Sequence, residues 1–201
     1  MKAVKLEKPR MFTSTRDLLL SLGVLGAIMA FSVGFTGMCS YNPGPADTGG
    51  PVNEVDIDTI LESEARALNF PVRNPDVPDD WEANSGRRVA VDGEAASTAG
   101  WVVDERYFVS LTQTDVELED AVDYQDGVDN ALREESGTHT SQGTDGPVTW
   151  TIYTGDDART LWAAELDDVT LMLSGTATRE MYETMADKVV TADPIDIGTD
   201  P

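Results

Sequence analysis

From Leu18 to Cys39 the chain carries no charged residue. As a helix rising about 1.5 Å per residue, this run would be about 30 Å long, the thickness of the hydrocarbon core of a bilayer. A helix packed inside a globular domain is seldom so uniform, because part of its surface usually meets water. The run is therefore expected to contact the lipid bilayer through residues 18–39 as a transmembrane helix. Its small residues, Gly23, Gly26 and Ser32 among them, are tolerated in such a helix and would let a second one approach.

Charge gives this span a direction. Of the 14 lysines and arginines, Lys2, Lys5, Lys8, Arg10 and Arg16 precede the run, with only Glu7 and Asp17 against them. Beyond it, nine basic residues face 35 of the 37 aspartates and glutamates. Positive flanks stay on the cytoplasmic side. Residues 1–17 are thus expected to form a cytoplasmic tail, with everything after Cys39 outside, in a single-pass protein of the cell membrane.

The chain's single cysteine closes the run in "GFTGMCSY". A bacterial lipid-attachment site needs a large aliphatic residue three places before the cysteine and a small one just before it. Thr36 and Met38 stand there instead. The apolar segment is also longer than an export-signal core, and no Ala-x-Ala site follows it. The pattern predicts an uncleaved signal anchor, with acylation of Cys39 open because the residue lies at a membrane boundary. One cysteine excludes an internal disulfide.

Residues 40–54, "SYNPGPADTGGPVNE", hold three prolines and three glycines and predict a flexible spacer. Residues 193–201 predict a loose acidic tail. The interval 55–192 suffices for one acidic extracytoplasmic domain. Apolar spacing predicts a first amphipathic helix from Val55 to Ala67. The proline-rich "NFPVRNPDVPDDW" then predicts an extended crossing pinned by Phe70, Val72 and Trp81. Segments 87–91 and 99–103 and the alternating "RYFVSLTQT" predict a meander of strands. A second helix is expected over 115–134, weakened by Gly127. "VTWTIYT", "RTLWAAEL" and "VTLMLSG", separated by short acidic turns, predict three more strands joined as hairpins. A last helix over 178–190 carries Met181, Met185 and Val189 on one stripe. The expected fold class is α+β: a mostly antiparallel sheet of about five to six strands packed by about three helices.

The combination of "RDLLLSLGVL" at the membrane entrance with "FPVRNPDVPDDW", "GPVTWTIYTGDDARTLWAAE" and "VTLMLSGTATREMYETMADKV" resembles the actinobacterial membrane proteins of the domain of unknown function 4245 family. The likeness covers most of the chain, from the short basic tail to the Gly-Thr-Ala stretch before the final helix. It implies an envelope location and a shared fold, and no activity.

Motifs for chemistry are scarce. His139 is the only histidine and is expected in a polar loop, without a second partner for a triad or zinc site. No G-x-S-x-G elbow, phosphate loop or G-x-G-x-x-G occurs. In "DYQDGVDNALRE" the interval from Asp123 to Glu134 equals a calcium loop, but Val128 stands where that loop needs glycine. No cofactor or metal is expected, and no nucleic acid, which the acidic charge would repel. Trp101, Trp150 and Trp162 are expected in the core, while Trp81 could cap it or line a groove.

Two functions follow. One is a non-catalytic binding or scaffold module that engages an envelope protein. The other is a carrier or sensor of a lipid or other apolar ligand, enclosed by the sheet and the helix bearing Met181 and Met185, with Trp81 at the groove.

Overall fold

The computed structural model describes residues 15–36 and 55–198, apart from 157, 167 and 168; within the first segment the side chains described are those of 18–29 and 31. Cys39 and the spacer 40–54 lie outside the described residues. The chain divides into two units, 1–47 and 48–201.

In the first unit, α1 (Thr15–Thr36) is one continuous helix. Leucines, valine, isoleucine and phenylalanine are exposed all around it, with no polar stripe. Among the described residues no helix is long and apolar enough to cross a membrane.

The second unit is α+β. Its helices are α2 (Ile57–Ala65), α3 (Leu118–Asp129) and α4 (Arg179–Thr191). Its strands are β1 (Trp81–Val91), β2 (Glu94–Val103), β3 (Tyr107–Thr114), β4 (Glu134–Gly143), β5 (Gly146–Thr154), β6 (Leu161–Leu166) and β7 (Val169–Gly175). They form one seven-stranded sheet in the order β1-β2-β3-β7-β6-β5-β4, antiparallel at every pairing. The sheet is two meanders laid side by side. The chain leaves β3 through α3, enters at the far edge as β4, and returns strand by strand until β7 pairs with β3.

Local chemistry fixes the ends of these elements. Asp92 and Gly93 both take positive φ between Val91 and Glu94, the two-residue turn that suits the twist of a hairpin. The Asp56 carboxylate caps α2 by accepting from the Thr59 amide at 3.0 Å and the Thr59 hydroxyl at 2.8 Å, which holds its pKa below the usual carboxylate value. Thr178 caps α4. The proline-rich crossing is extended as expected, and Gln113 holds it: its side chain accepts from the Arg73 amide and donates to the Arg73 carbonyl, both at 2.8 Å.

Two apolar clusters lie on opposite faces of the sheet. The larger joins α2, α4, Phe70, Val72 and Trp81 to the odd-numbered residues of β2, β3 and β7, with Trp101, Trp150 and Trp162 buried. The smaller places Val116, Ala121 and Val122, at and before α3, on Val91, Ala96, Leu161, Ala163 and Met172.

The structure corrects the expectation in three places. Seven strands replace five or six. The second helix ends at Asp129, where Asn130 turns left-handed with φ 50°, so it does not reach Glu134. Residues 134–143, including His139, form edge strand β4 and not a loop. An edge strand that turns only His139 and Ser141 inward carries no apolar alternation to betray it.

Candidate functional site

Alternation along the strands gives the sheet two chemically different faces. On β3, Val109 and Leu111 enter the larger core, while Ser110 and Thr112 point the other way, toward the side of α3. Neighbouring strands continue the polar set with Ser85, Thr98 and Ser174. Helix α3 covers only part of this face. Beside it remains a half-open groove of about 290 Å³.

The hydroxyls form its floor, and Tyr124, Gln125 and Val128 of α3 form a wall. Arg87 enters from β1, and Arg159 from the chain just before β6. Phe108 crosses β2 above Gly100. A Cβ at Gly100 would lie 2.5 Å from the Phe108 ring and 2.7 Å from Ser85 Oγ, so only glycine lets the ring settle beside that hydroxyl.

The floor is partly bonded to itself. The Ser110 hydroxyl donates to the Ser174 carbonyl at 3.0 Å and lies 2.9 Å from the Ser174 hydroxyl; Thr112 donates to Thr98 at 3.1 Å. Each hydroxyl has one proton and two acceptor positions. Among the described residues the protons of Thr98 and Ser85 have no acceptor, and both line the groove.

Electrostatics sets the groove apart from the rest of the unit. None of its fourteen lining residues is acidic, although 35 acidic residues follow Asp17. Elsewhere the cations are engaged: Arg66 with Glu62, Arg88 with Glu64, Arg133 with Asp126 and Asp129, Arg179 with Glu183, and Lys188 with Asp76. Arg106 lies against the Tyr107 ring. Among the described residues Arg87 and Arg159 form no ion pair at contact distance, although the Arg159 charge acts on Asp129, and both open onto this groove.

Arg133 anchors the Arg159 end. Its side chain is fully buried; Nε donates to the Arg159 carbonyl at 2.7 Å, and the guanidinium binds Asp126 and Asp129 at the end of α3. Burial alone would raise the pKa of Asp129, but hydrogen bonds from Arg133 and Gln125 and the charges of Arg133 and Arg159 hold it below the usual value. Two residues of the calcium-like interval thus bind an arginine. Among the described residues no group of three or more His, Cys, Asp or Glu is arranged to hold a metal.

The residues singled out in the sequence lie elsewhere. Trp81 and Met185 are buried in the larger core, with Met181 half-buried against it; none lines the groove. His139 faces α4, with Nδ1 3.8 Å from Glu183 and Nε2 3.5 Å from Asp187, and its ring tilts toward Trp162 at 5.3 Å. Trp162 stacks on Tyr182, whose hydroxyl donates to the Thr160 carbonyl at 3.3 Å. A second concavity of about 700 Å³, bordered by Leu132, Glu134 and Asp156, offers carboxylates and main chain with no converging cation. The groove had one signal in the sequence, the hydroxyls alternating with apolar residues in "RYFVSLTQT".

A family described as a protein of unknown function, DUF4245, matches residues 10–189. The chain belongs to this family. No curated protein and no solved structure matches it. The DUF4245 match includes every strand of the sheet and all the groove-lining residues, so the groove belongs to the part of the chain that defines membership.

Proposed function

We propose that this DUF4245 chain is a single-pass membrane protein whose acidic outer domain is a non-catalytic binding module, and that the groove beside α3 is its binding surface. The groove carries the proposal: a concave patch with no acid in its lining, with two arginines that among the described residues form no ion pair at contact distance, and with hydroxyl protons that have no acceptor among those residues, in a domain whose surface is otherwise strongly acidic. Its lining holds no histidine, cysteine or carboxylate, so it supplies donors and charge and not a nucleophile with its base.

Tethering draws support from the sequence on both sides of α1. No charged residue occurs from Leu18 to Cys39, and α1 is apolar all round, as suits a helix whose solvent is lipid. The basic tail before it favours an outer location for the acidic domain. The apolar-carrier alternative has less support, because Trp81 and Met185 fill the core and line no groove.

Hydrogen exchange on the full chain in mild detergent, with and without a low-molecular-weight envelope extract, tests the binding surface. Slower exchange confined to β3 and α3 is expected; no change in either element refutes the assignment. External protease on intact cells tests the topology: cleavage beyond residue 40 is expected, and full protection overturns it.

A further inference from the structure

We infer that the groove recognises a phosphorylated, hydroxyl-bearing ligand. This inference rests on the groove being the binding surface and goes further by naming what it binds. Charge is the first argument. An arginine without a carboxylate at ion-pair distance is unusual in a domain with 30 acidic residues between 55 and 192, and among the described residues Arg87 and Arg159 are two such arginines that open onto the same groove. Net charge repels an anion at long range, so affinity has to come from short, directed contacts, which the guanidinium fork supplies.

Placement is the second argument. In strand order Arg87 belongs to one edge of the sheet and Arg159 precedes β6, with β2, β3 and β7 between them. Adjacent strands are about 4.8 Å apart, so the backbones bearing the two arginines are separated by roughly 19 Å, and both exposed side chains border the groove. Between the cations lie Ser85 and Thr98, whose protons are free to donate. The lining thus runs cation, hydroxyls, cation. Donors arriving from both ends and from below suit the tetrahedral oxygens of a phosphoryl group better than the two coplanar oxygens of one carboxylate. The hydroxyl floor suits a polyol or sugar body.

Two sources share this chemistry: a soluble phosphate ester and the head group of a phospholipid. The test uses the full chain in a neutral detergent at low salt, titrated calorimetrically with fructose 1,6-bisphosphate, inorganic phosphate and unphosphorylated fructose. The bisphosphate is expected to bind one to one, fructose not at all, and added salt to weaken binding. Arg87→Gln and Arg159→Gln should each weaken it roughly tenfold, as loss of a charge-assisted contact does. Arg66→Gln, in an exposed pair on α2, should leave it unchanged. Displacement of the bisphosphate by phosphatidylglycerol vesicles, but not phosphatidylcholine vesicles, assigns the ligand to a lipid head group; no displacement by either assigns it to a soluble ester.

Equal binding of fructose and its bisphosphate, or binding indifferent to both arginine substitutions, overturns the inference. If no phosphate probe binds while an envelope extract still slows exchange in β3 and α3, the phosphate assignment fails and the groove stands as the binding surface. If neither effect is seen, both fail.

Discussion

Replacing Arg133 by methionine tests how the wall of the groove is held. Helix α3 ends in Asp126 and Asp129 with no basic residue in its last turn, so acidic charge sits at the negative end of the helix dipole. Arg133, just beyond, supplies the missing cation with its side chain fully buried. Breaking a fully buried pair by removing one partner costs about 3–5 kcal/mol. Here Asp126 and Asp129 keep 18% and 31% exposure and would regain some hydration, which lowers the cost. The Arg159 carbonyl loses its donor as well, so the net expectation is about 3 kcal/mol. For a domain of this size that is a fall in melting temperature of roughly 10 °C. All four tryptophans lie in the second unit, so their fluorescence during thermal unfolding of the full chain in detergent reports on that unit alone. Arg66→Ala, which breaks a pair exposed at 60% and 52%, is the control and should cost no more than about 0.5 kcal/mol. A loss at Arg133 no larger than the control's would refute the argument. Acid adds a second readout. The Asp129 pKa is lowered on folding, so its contribution is full above the ordinary carboxylate value and is lost as pH falls through the lowered one. Stability should therefore fall as pH drops below the ordinary carboxylate value of about 4, more steeply in the parent chain than in Arg133→Met.

Tyr182 reports on the opposite end of the pH scale. Burial pushes its phenol above the usual range against the opposing charges of Arg159 and Arg133, so its contribution is intact below about pH 10 and is lost as pH rises through the folded value. Absorbance at the tyrosinate band should show one of the five tyrosines failing to ionise until the domain unfolds, and Tyr182→Phe should remove that lag; simultaneous ionisation of all five with the fold intact would contradict it. Gly175→Ala should cost about 3 kcal/mol or more in thermal unfolding, because φ there is +150° and a Cβ would lie 1.9 Å from the Phe108 carbonyl oxygen, where β3 pairs with β7. Met185→Ala should cost about 2–5 kcal/mol as a core truncation; a negligible loss would revive a ligand-lining role for this methionine.

What was legible in the sequence follows burial. β5, β6, β7 and α4 were readable because each turns large apolar residues toward a core, and Trp101, Trp150 and Trp162 were readable as core for the same reason. β4 was not, because an edge strand lying under α4 buries one serine, half-buries a histidine and leaves no apolar side chain on either face. The end of α3 was misplaced because its stop is a left-handed Asn130, with the helix periodicity running on into Ala131 and Leu132. Trp81 and Met185 drew attention as large and adaptable side chains, yet those properties also make good core, and core is where they pack.

The groove escaped notice because its chemistry is distributed. Ser85, Thr98, Ser110 and Ser174 are separate, ordinary strand residues, and only the pairings of β1 with β2, β2 with β3 and β3 with β7 bring them onto one surface. Arg87 and Arg159 are likewise unremarkable until the partners of the other cations are known. In a chain with so many carboxylates, a cation acquires a neighbour by default, and keeping one free requires that no acid be placed nearby. The groove's lining carries no acid, with hydroxyls at several of its strand positions, and the carboxylate that feels the Arg159 charge, Asp129, lies outside the lining. If the acid-free lining is what preserves the arginines for a ligand, then Thr112→Glu should abolish phosphate binding as fully as loss of an arginine while leaving the fold intact. Thr112 is half-exposed, and its only described side-chain bond is the one it donates to Thr98. Unchanged binding in folded Thr112→Glu would mean that the absence of acid from the lining is incidental.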